Sequence, residues 1–229
     1  MTAELPAWWE PLLSRARAAR TRDFTQLRRP EPGGRPGAVL VLIGDDGDTG
    51  PDVLVIQRPD TMRTHAGQPA FPGGAAEAGD AGPTDTALRE AAEEVGLVPA
   101  SAVVVAQLPP LWIPVSDFTV TPVLAWWRAP HEVGPRQPRE VARVARLPVT
   151  ELVDPENRLR VRMPNGWTGP AFDVGGMRVW GFTAGILATV LDFAGWSRPW
   201  PTDRIVDLAP SVTTSGPRVV VDGVAPPVL

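Results

Sequence analysis

The stretch "TALREAAEEVGL", Thr86 to Leu97, constrains the fold of this chain more than any other. Leu88, Ala91, Ala92 and Val95 recur at i, i+3, i+4 and i+7, the period of an amphipathic helix. Thr84 is placed to cap its start, and Gly96 stands where a left-handed residue ends a helix. At about 100° per residue, with Glu90 as zero, Glu93 falls near about 300° and Glu94 near about 40°. The four apolar residues span roughly 100° to 200° on that wheel, so the carboxylates are expected opposite the core stripe.

Arg89 can pair with Glu93 at i,i+4, but Glu90 and Glu94 are like charges at i,i+4 with no cation one turn further on. Such a pair costs an isolated helix about 0.2–0.5 kcal/mol. Two readings stand: a solvated acidic face, or a site where a bound cation reverses that sign. The preceding "FPGG", Phe71 to Gly74, supplies a turn in which backbone can approach a ligand closely. Oxygen-only ligands beside one arginine suit Mg²⁺ or Mn²⁺. Phe71 itself reads either as core or as a surface on which a base could stack.

Composition narrows the chemistry. With no cysteine, disulfides, thiolate zinc sites and cysteine nucleophiles are excluded. All 22 basic residues are arginine, and the net charge of −4 offers no global reason to bind nucleic acid or an anionic membrane. Any anion must be held by a local basic cluster, and no nucleic-acid or membrane partner is expected. The opening "MTAELPAWWEPLL" has no basic segment leading an apolar one, and no apolar run approaches a membrane span, so the expected location is the cytoplasm.

Along the chain, residues 1–36 read as a helical arm and linker, 37–196 as the main domain and 197–229 as a partly disordered C-terminal extension whose final "APSVTTSGPRVVVDGVAPPVL" reads as a poorly packed tail. A short helix from about Pro11 to Arg20 is expected in the arm, and an exposed Trp8–Trp9 pair there would suit docking on a second subunit as a homodimer. "GAVLVLIG" and "DVLVIQR" read as a hairpin, and "AVVVAQLPPL" and "FTVTPVLAWW" as further strands. "LRVRMPNGWTGPAF" carries a Pro-Asn-Gly turn between extended segments, and "FTAGILATVLDFAGW" reads as a second long helix. The class is mixed α/β.

These residues also carry a family resemblance. Gly74, Asp80, Arg89, Glu90, Glu93, Glu94, Gly96 and Leu97 resemble the Nudix box. Asp80 stands where a glutamate is usual, Ala91 fills a position that is usually bulky, and the interval from Asp80 to Arg89 is one residue longer than the general pattern. That insertion is similar to the coenzyme A pyrophosphatase branch. Leu54, Arg58, Arg63, Gly67, Phe71, Pro72, Gly73 and Gly74 fall at the spacing of its upstream signature, while Val55, Ile56, Pro59 and Asp60 depart from it. The likeness runs from about Gly37 to Trp196.

The resemblance implies a Nudix α/β/α sandwich with a mixed sheet and a metal-dependent hydrolase of the diphosphate in coenzyme A or its thioesters. It implies Glu90 and Glu94 as principal metal ligands, with Glu93 and the Gly74 carbonyl assisting and Arg89 holding Glu93. The general base comes from the box helix or from a later loop, where Glu140 is the candidate. Arg58 and Arg63 would grip phosphate, with His65 and Gly73 beside them. Other nucleoside diphosphate derivatives, such as ADP-ribose, NADH or dinucleoside polyphosphates, and a Nudix-like module that binds without turnover, stand as alternatives.

Overall fold

The computed structural model describes residues 5–25, 27, 33–45, 47, 50–61, 66–114 and 116–208. Its central sheet is built on β1 (Arg35–Asp45), whose alternating side chains are buried on both faces. β2 (Pro51–Gln57) folds back on β1 as an antiparallel hairpin, pairing Val53 with Ile43. β3 (Pro69–Ala70) extends the far end of β2, and β4 (Gly73–Ala75) pairs with the near end of β1.

After helix α2 (Pro83–Val95), β5 (Ala102–Gln107) and β6 (Leu111–Ile113) each pair antiparallel with β7 (Phe118–Trp127), which runs parallel to β1 from Arg35↔Phe118 to Ile43↔Trp126. β8 (Arg143–Pro148) lies antiparallel on the other side of β2. The eight strands therefore form one mixed sheet, with β1 and β7 as its parallel centre.

Alternation along β1 splits the core into two layers. Leu40 and Leu42 face α2 (Pro83–Val95), with Leu54, Ile56, Val123 and Trp127. Val41 and Ile43 face the opposite layer, made by α1 (Trp9–Ala18) and α4 (Gly181–Phe193). This is the α/β/α sandwich with a mixed sheet expected from the sequence. A short α3 (Val149–Leu152) leads into a second sheet of order β11-β10-β9-β12, formed by β9 (Arg158–Arg162), β10 (Thr168–Val174), β11 (Met177–Val179) and β12 (Ile205–Asp207). The Pro-Asn-Gly turn joins β9 to β10 as expected, with Gly166 at φ 86°.

Two regions differ from the sequence reading. Trp9 is fully buried, and Trp8 stacks on it at 4.9 Å and against Trp196 at 5.5 Å. The pair is thus spent on the chain's own core, and the exposed patch that suggested a homodimer does not exist. The C-terminal extension also contributes a strand that the sequence reading did not foresee, because β12 pairs in parallel with β9. Val206 alternates inward there against Leu159 and Val161. Residues 209–229 of the expected extension lie outside the described residues.

Candidate active site

α2 begins at Pro83 with Gly82 as N-cap, and no side chain caps it. The expected cap, Thr84, instead accepts a hydrogen bond from Gln107 Nε2 at 3.0 Å. Proline at the first helical position needs no partner for an N–H, and its fixed φ suits a helix start. Gly96 ends the helix at φ 75°, as expected, and its N–H donates to Ala92 O at 3.0 Å.

The buried side of α2 is Thr86, Ala87, Ala91, Glu94 and Val95. Glu94 is therefore not opposite the core. Ala87, omitted from the expected stripe, lies only about 20° from Glu94 on the helical wheel and draws that edge inward. Glu94 is 1% exposed, and its Oε2 accepts the Gly73 backbone N–H at 3.0 Å.

Burial raises the Glu94 carboxyl to about 7, against the Gly73 hydrogen bond and the field of Arg58, with Glu90 and Glu140 adding repulsion. Glu90 is likewise raised by burial, opposed by Arg89, with Glu93 and Glu140 repelling. The buried Glu94 thus feels the half-buried Glu90, and both feel Glu140 in the turn before β8. Arg58, at the end of β2, supplies the nearby positive field.

The turn "FPGG" is held against β1. A Cβ on Gly73 would lie 2.3 Å from Ala38 O and 2.6 Å from Val39 Cα, and one on Gly74 would lie 2.4 Å from Glu90 Oε1. At Gly73 the obstacle is backbone, whereas at Gly74 it is the movable end of the Glu90 side chain. Leu40 N–H donates to Pro72 O at 2.8 Å and Ala76 N–H to Pro36 O at 3.0 Å. Alternation along the ladder makes Ala38 and Gly74 the hydrogen-bonded pair between them, so one lone pair of the Gly74 carbonyl is engaged and one is left. Phe71 is 2% exposed and belongs to the core.

Arg89 is the hub of the outer part. Its Nε and Nη2 grip the two oxygens of Asp80 at 3.0 and 3.1 Å, in a fork. Nη1 donates to Glu90 Oε1 at 3.2 Å and to Glu93 Oε2 at 3.4 Å, and Nη2 to Ala75 O at 3.0 Å. The expected i,i+4 pair exists, but Glu93 is 46% exposed there and Asp80 is the stronger partner. The Arg89 fork holds the Asp80 carboxyl well below the usual carboxylate range. Sequence reasoning matched Asp80 to the box but gave it no role; its fork with Arg89 depends on a loop whose path the spacing does not reveal.

The structure therefore brings Glu90, Glu94, Gly73 and Gly74 together and sets Glu140 and Arg58 within electrostatic reach. Arg63 and His65 lie outside the described residues. Among the described residues, no three acidic or histidine side chains converge as a group that could hold a metal ion. The expected cluster of Glu90, Glu93 and Glu94 is not drawn to one point: Glu94 is buried, while Glu93 stays exposed and shares Arg89 Nη1 with Glu90.

Comparison with known proteins gives this geometry its place. The NUDIX domain model matches residues 34–165. The chain belongs to the Nudix family. A Klebsiella pneumoniae protein named as an uncharacterized Nudix hydrolase, NudL, is 37% identical over 187 residues, covering 75% of this chain and 93% of its own length. A Pectobacterium atrosepticum protein of the same name is 39% identical over 146 residues, covering 60% of this chain and 72% of its own length. Among solved structures, the Nudix hydrolase RenU from M. smegmatis aligns over 74% of this chain and 91% of its own, at 20% identity and TM-score 0.47.

This Nudix protein is thus a hydrolase of a family that acts on small nucleoside diphosphate derivatives and generally uses divalent metal ions. The donor chemistry fits such an ion: hard carboxylate oxygens on the buried Glu94 and the half-buried Glu90, repelling each other, beside the Gly74 carbonyl of the turn. No helix among the described residues is long and apolar enough to cross a membrane.

Proposed function

We propose that this Nudix hydrolase cleaves the diphosphate linkage of coenzyme A or its thioesters, giving 3′,5′-ADP and 4′-phosphopantetheine or its acyl form. The observation that carries the metal-dependent chemistry is the buried Glu94 and the half-buried Glu90 side by side against the Pro-Gly-Gly turn, with burial and repulsion opposing their charge. The substrate assignment rests on the upstream signature from Leu54 to Gly74 and on the longer interval between Asp80 and Arg89.

Glu90 and Glu94 would hold Mg²⁺ or Mn²⁺, with Glu93 and the Gly74 carbonyl completing the set. When bound, the ion neutralises the diphosphate and activates a water. Gly73 fixes Glu94 through its N–H, and Arg89 orients Glu90 and Glu93. Water adds to one phosphorus as the bridging P–O bond breaks, and its proton passes to a carboxylate, for which Glu140 is the loop candidate. Arg58, Arg63 and His65 would meet the phosphates, and the 3′-phosphate of coenzyme A is the extra dianion that an arginine fork can hold.

Incubation of the purified protein with coenzyme A and Mg²⁺ tests this reading. Release of 3′,5′-ADP by the wild type, with Glu94→Gln silent, is expected; equal silence of both sinks it. Arg58→Ala is expected to impair hydrolysis of coenzyme A more than that of its 3′-dephospho form. Equal impairment of the two would favour another nucleoside diphosphate derivative as substrate.

A further inference from the structure

We infer that Thr86 is a positioning residue for this site, acting through Asp80 and Arg89 on the Glu90 carboxylate. The inference rests on the metal-dependent reading above and adds a residue that lies outside the box pattern.

Thr86 is fully buried on the second turn of α2. Its Oγ1 lies 2.8 Å from Asp80 Oδ2 and 3.3 Å from Gly82 O. A hydroxyl has one proton to give. Gly82 O already accepts the Thr86 N–H at 3.1 Å, so the shorter contact places the hydroxyl proton on Asp80.

Asp80 is thereby tied on several sides. Oδ2 accepts the Glu77 N–H at 2.9 Å, Thr86 Oγ1 at 2.8 Å and Arg89 Nη2 at 3.1 Å, while Oδ1 accepts Arg89 Nε at 3.0 Å. Its side chain is only 7% exposed. The fork alone fixes the carboxylate relative to Arg89, yet the pair could still pivot, because the terminal torsion of an aspartate is broad. The Glu77 N–H and the Thr86 hydroxyl anchor that torsion to the backbone of the loop and of the helix.

The orientation then passes outward. Arg89 Nη1 reaches Glu90 Oε1 at 3.2 Å, and the Glu90 carboxylate occupies the space that a Cβ on Gly74 would need. A pivot of Asp80 would swing the guanidinium plane and release Glu90 from the turn. Partners one step removed from metal ligands typically change metal affinity 10–100-fold when removed.

Three variants of the full chain, Thr86→Val, Thr86→Ser and Thr86→Ala, test this by direct titration with Mn²⁺, read as free Mn²⁺ by electron paramagnetic resonance. Thermal melts and the KM for the nucleotide are recorded alongside. Thr86→Val is expected to weaken Mn²⁺ binding about fivefold, less than removal of a direct partner of a ligand, with KM unchanged, and Thr86→Ser to restore binding to within about twofold of wild type. If Thr86→Val does not fold, Thr86→Ala carries the same expectation. Wild-type affinity in Thr86→Val or Thr86→Ala, or a Thr86→Ser as weak as Thr86→Val, overturns the inference. A wild-type chain that binds no Mn²⁺ overturns the metal-dependent reading itself, and this inference with it.

Discussion

Gly73 donates its backbone N–H to Glu94 Oε2 at 3.0 Å, joining the Pro-Gly-Gly turn to the one acidic residue on the buried side of α2. A carboxylate that faces core on one side and a single backbone donor on the other has lost most of its hydration, and burial is the largest influence on its protonation. The turn and the helix are thus coupled through an acid whose ionisation the fold opposes.

That coupling makes stability fall with rising pH in the metal-free protein. The Glu94 carboxyl is raised from 4.5 to about 7, so between these values the folded state holds a proton that the unfolded state has released. The contribution is fully present below about pH 4.5, is lost as pH rises through about 7, and amounts to about 3 kcal/mol. Urea unfolding from pH 5 to 8 in chelator should show the decline, and Glu94→Gln should flatten it. A wild-type profile as flat as that of Glu94→Gln would refute the assignment.

Metal protection should follow the opposite slope. Ligation needs the carboxylate, so binding releases the proton and strengthens as pH rises through about 7. The rise in melting temperature on adding Mg²⁺ should be larger at pH 8 than at pH 6 for the wild type, and small at both for Glu94→Gln. An equal rise at both pH values would remove Glu94 from the ligand set.

The layout of strands and helices was legible because both periods are strong: the hairpin of β1 and β2, the turn at Gly166 and the span of α4 all follow local pattern. The box glutamates were legible as a group, but their separation was not. Ala87 shares the buried side of α2 with Glu94, which sequence periodicity alone left out, and the Asp80–Arg89 fork depends on how the loop from Ala76 to Gly82 folds back. The fate of Trp8 and Trp9 was equally hidden, since Trp8 packs between Trp9 and Trp196, a residue at the far end of the domain sequence.

The two glycines of the turn should fail in different ways. A Cβ on Gly73 meets backbone, Ala38 O at 2.3 Å and Val39 Cα at 2.6 Å, so Gly73→Ala must displace β4 from β1. A loss of about 3 kcal/mol is expected. A Cβ on Gly74 meets the end of the Glu90 side chain at 2.4 Å, which can swing away. Gly74→Ala should therefore stay close to wild-type stability and lose metal binding. Equal destabilisation of the two in urea would contradict this.

Arg158 offers a test remote from the box helix. It is 3% exposed on β9, its Nε and Nη1 have no hydrogen-bond partner, and its guanidinium lies 4.3 Å from the Phe172 ring and 4.7 Å from the Trp200 ring. Burial pulls its pKa down, with Asp192 as the opposing influence. Each ring face returns about 0.5–2 kcal/mol, whereas a buried ion costs several kcal/mol when its donors are unmet. Methionine keeps the long unbranched stem, adds sulfur–aromatic contact and removes the charge. Arg158→Met should then be about 1 kcal/mol more stable than wild type, while Arg158→Ala, which empties the space between the rings, should be about 2 kcal/mol less stable. Urea midpoints decide it: a loss in Arg158→Met as large as in Arg158→Ala would mean that the two rings stabilise the cation beyond its desolvation cost.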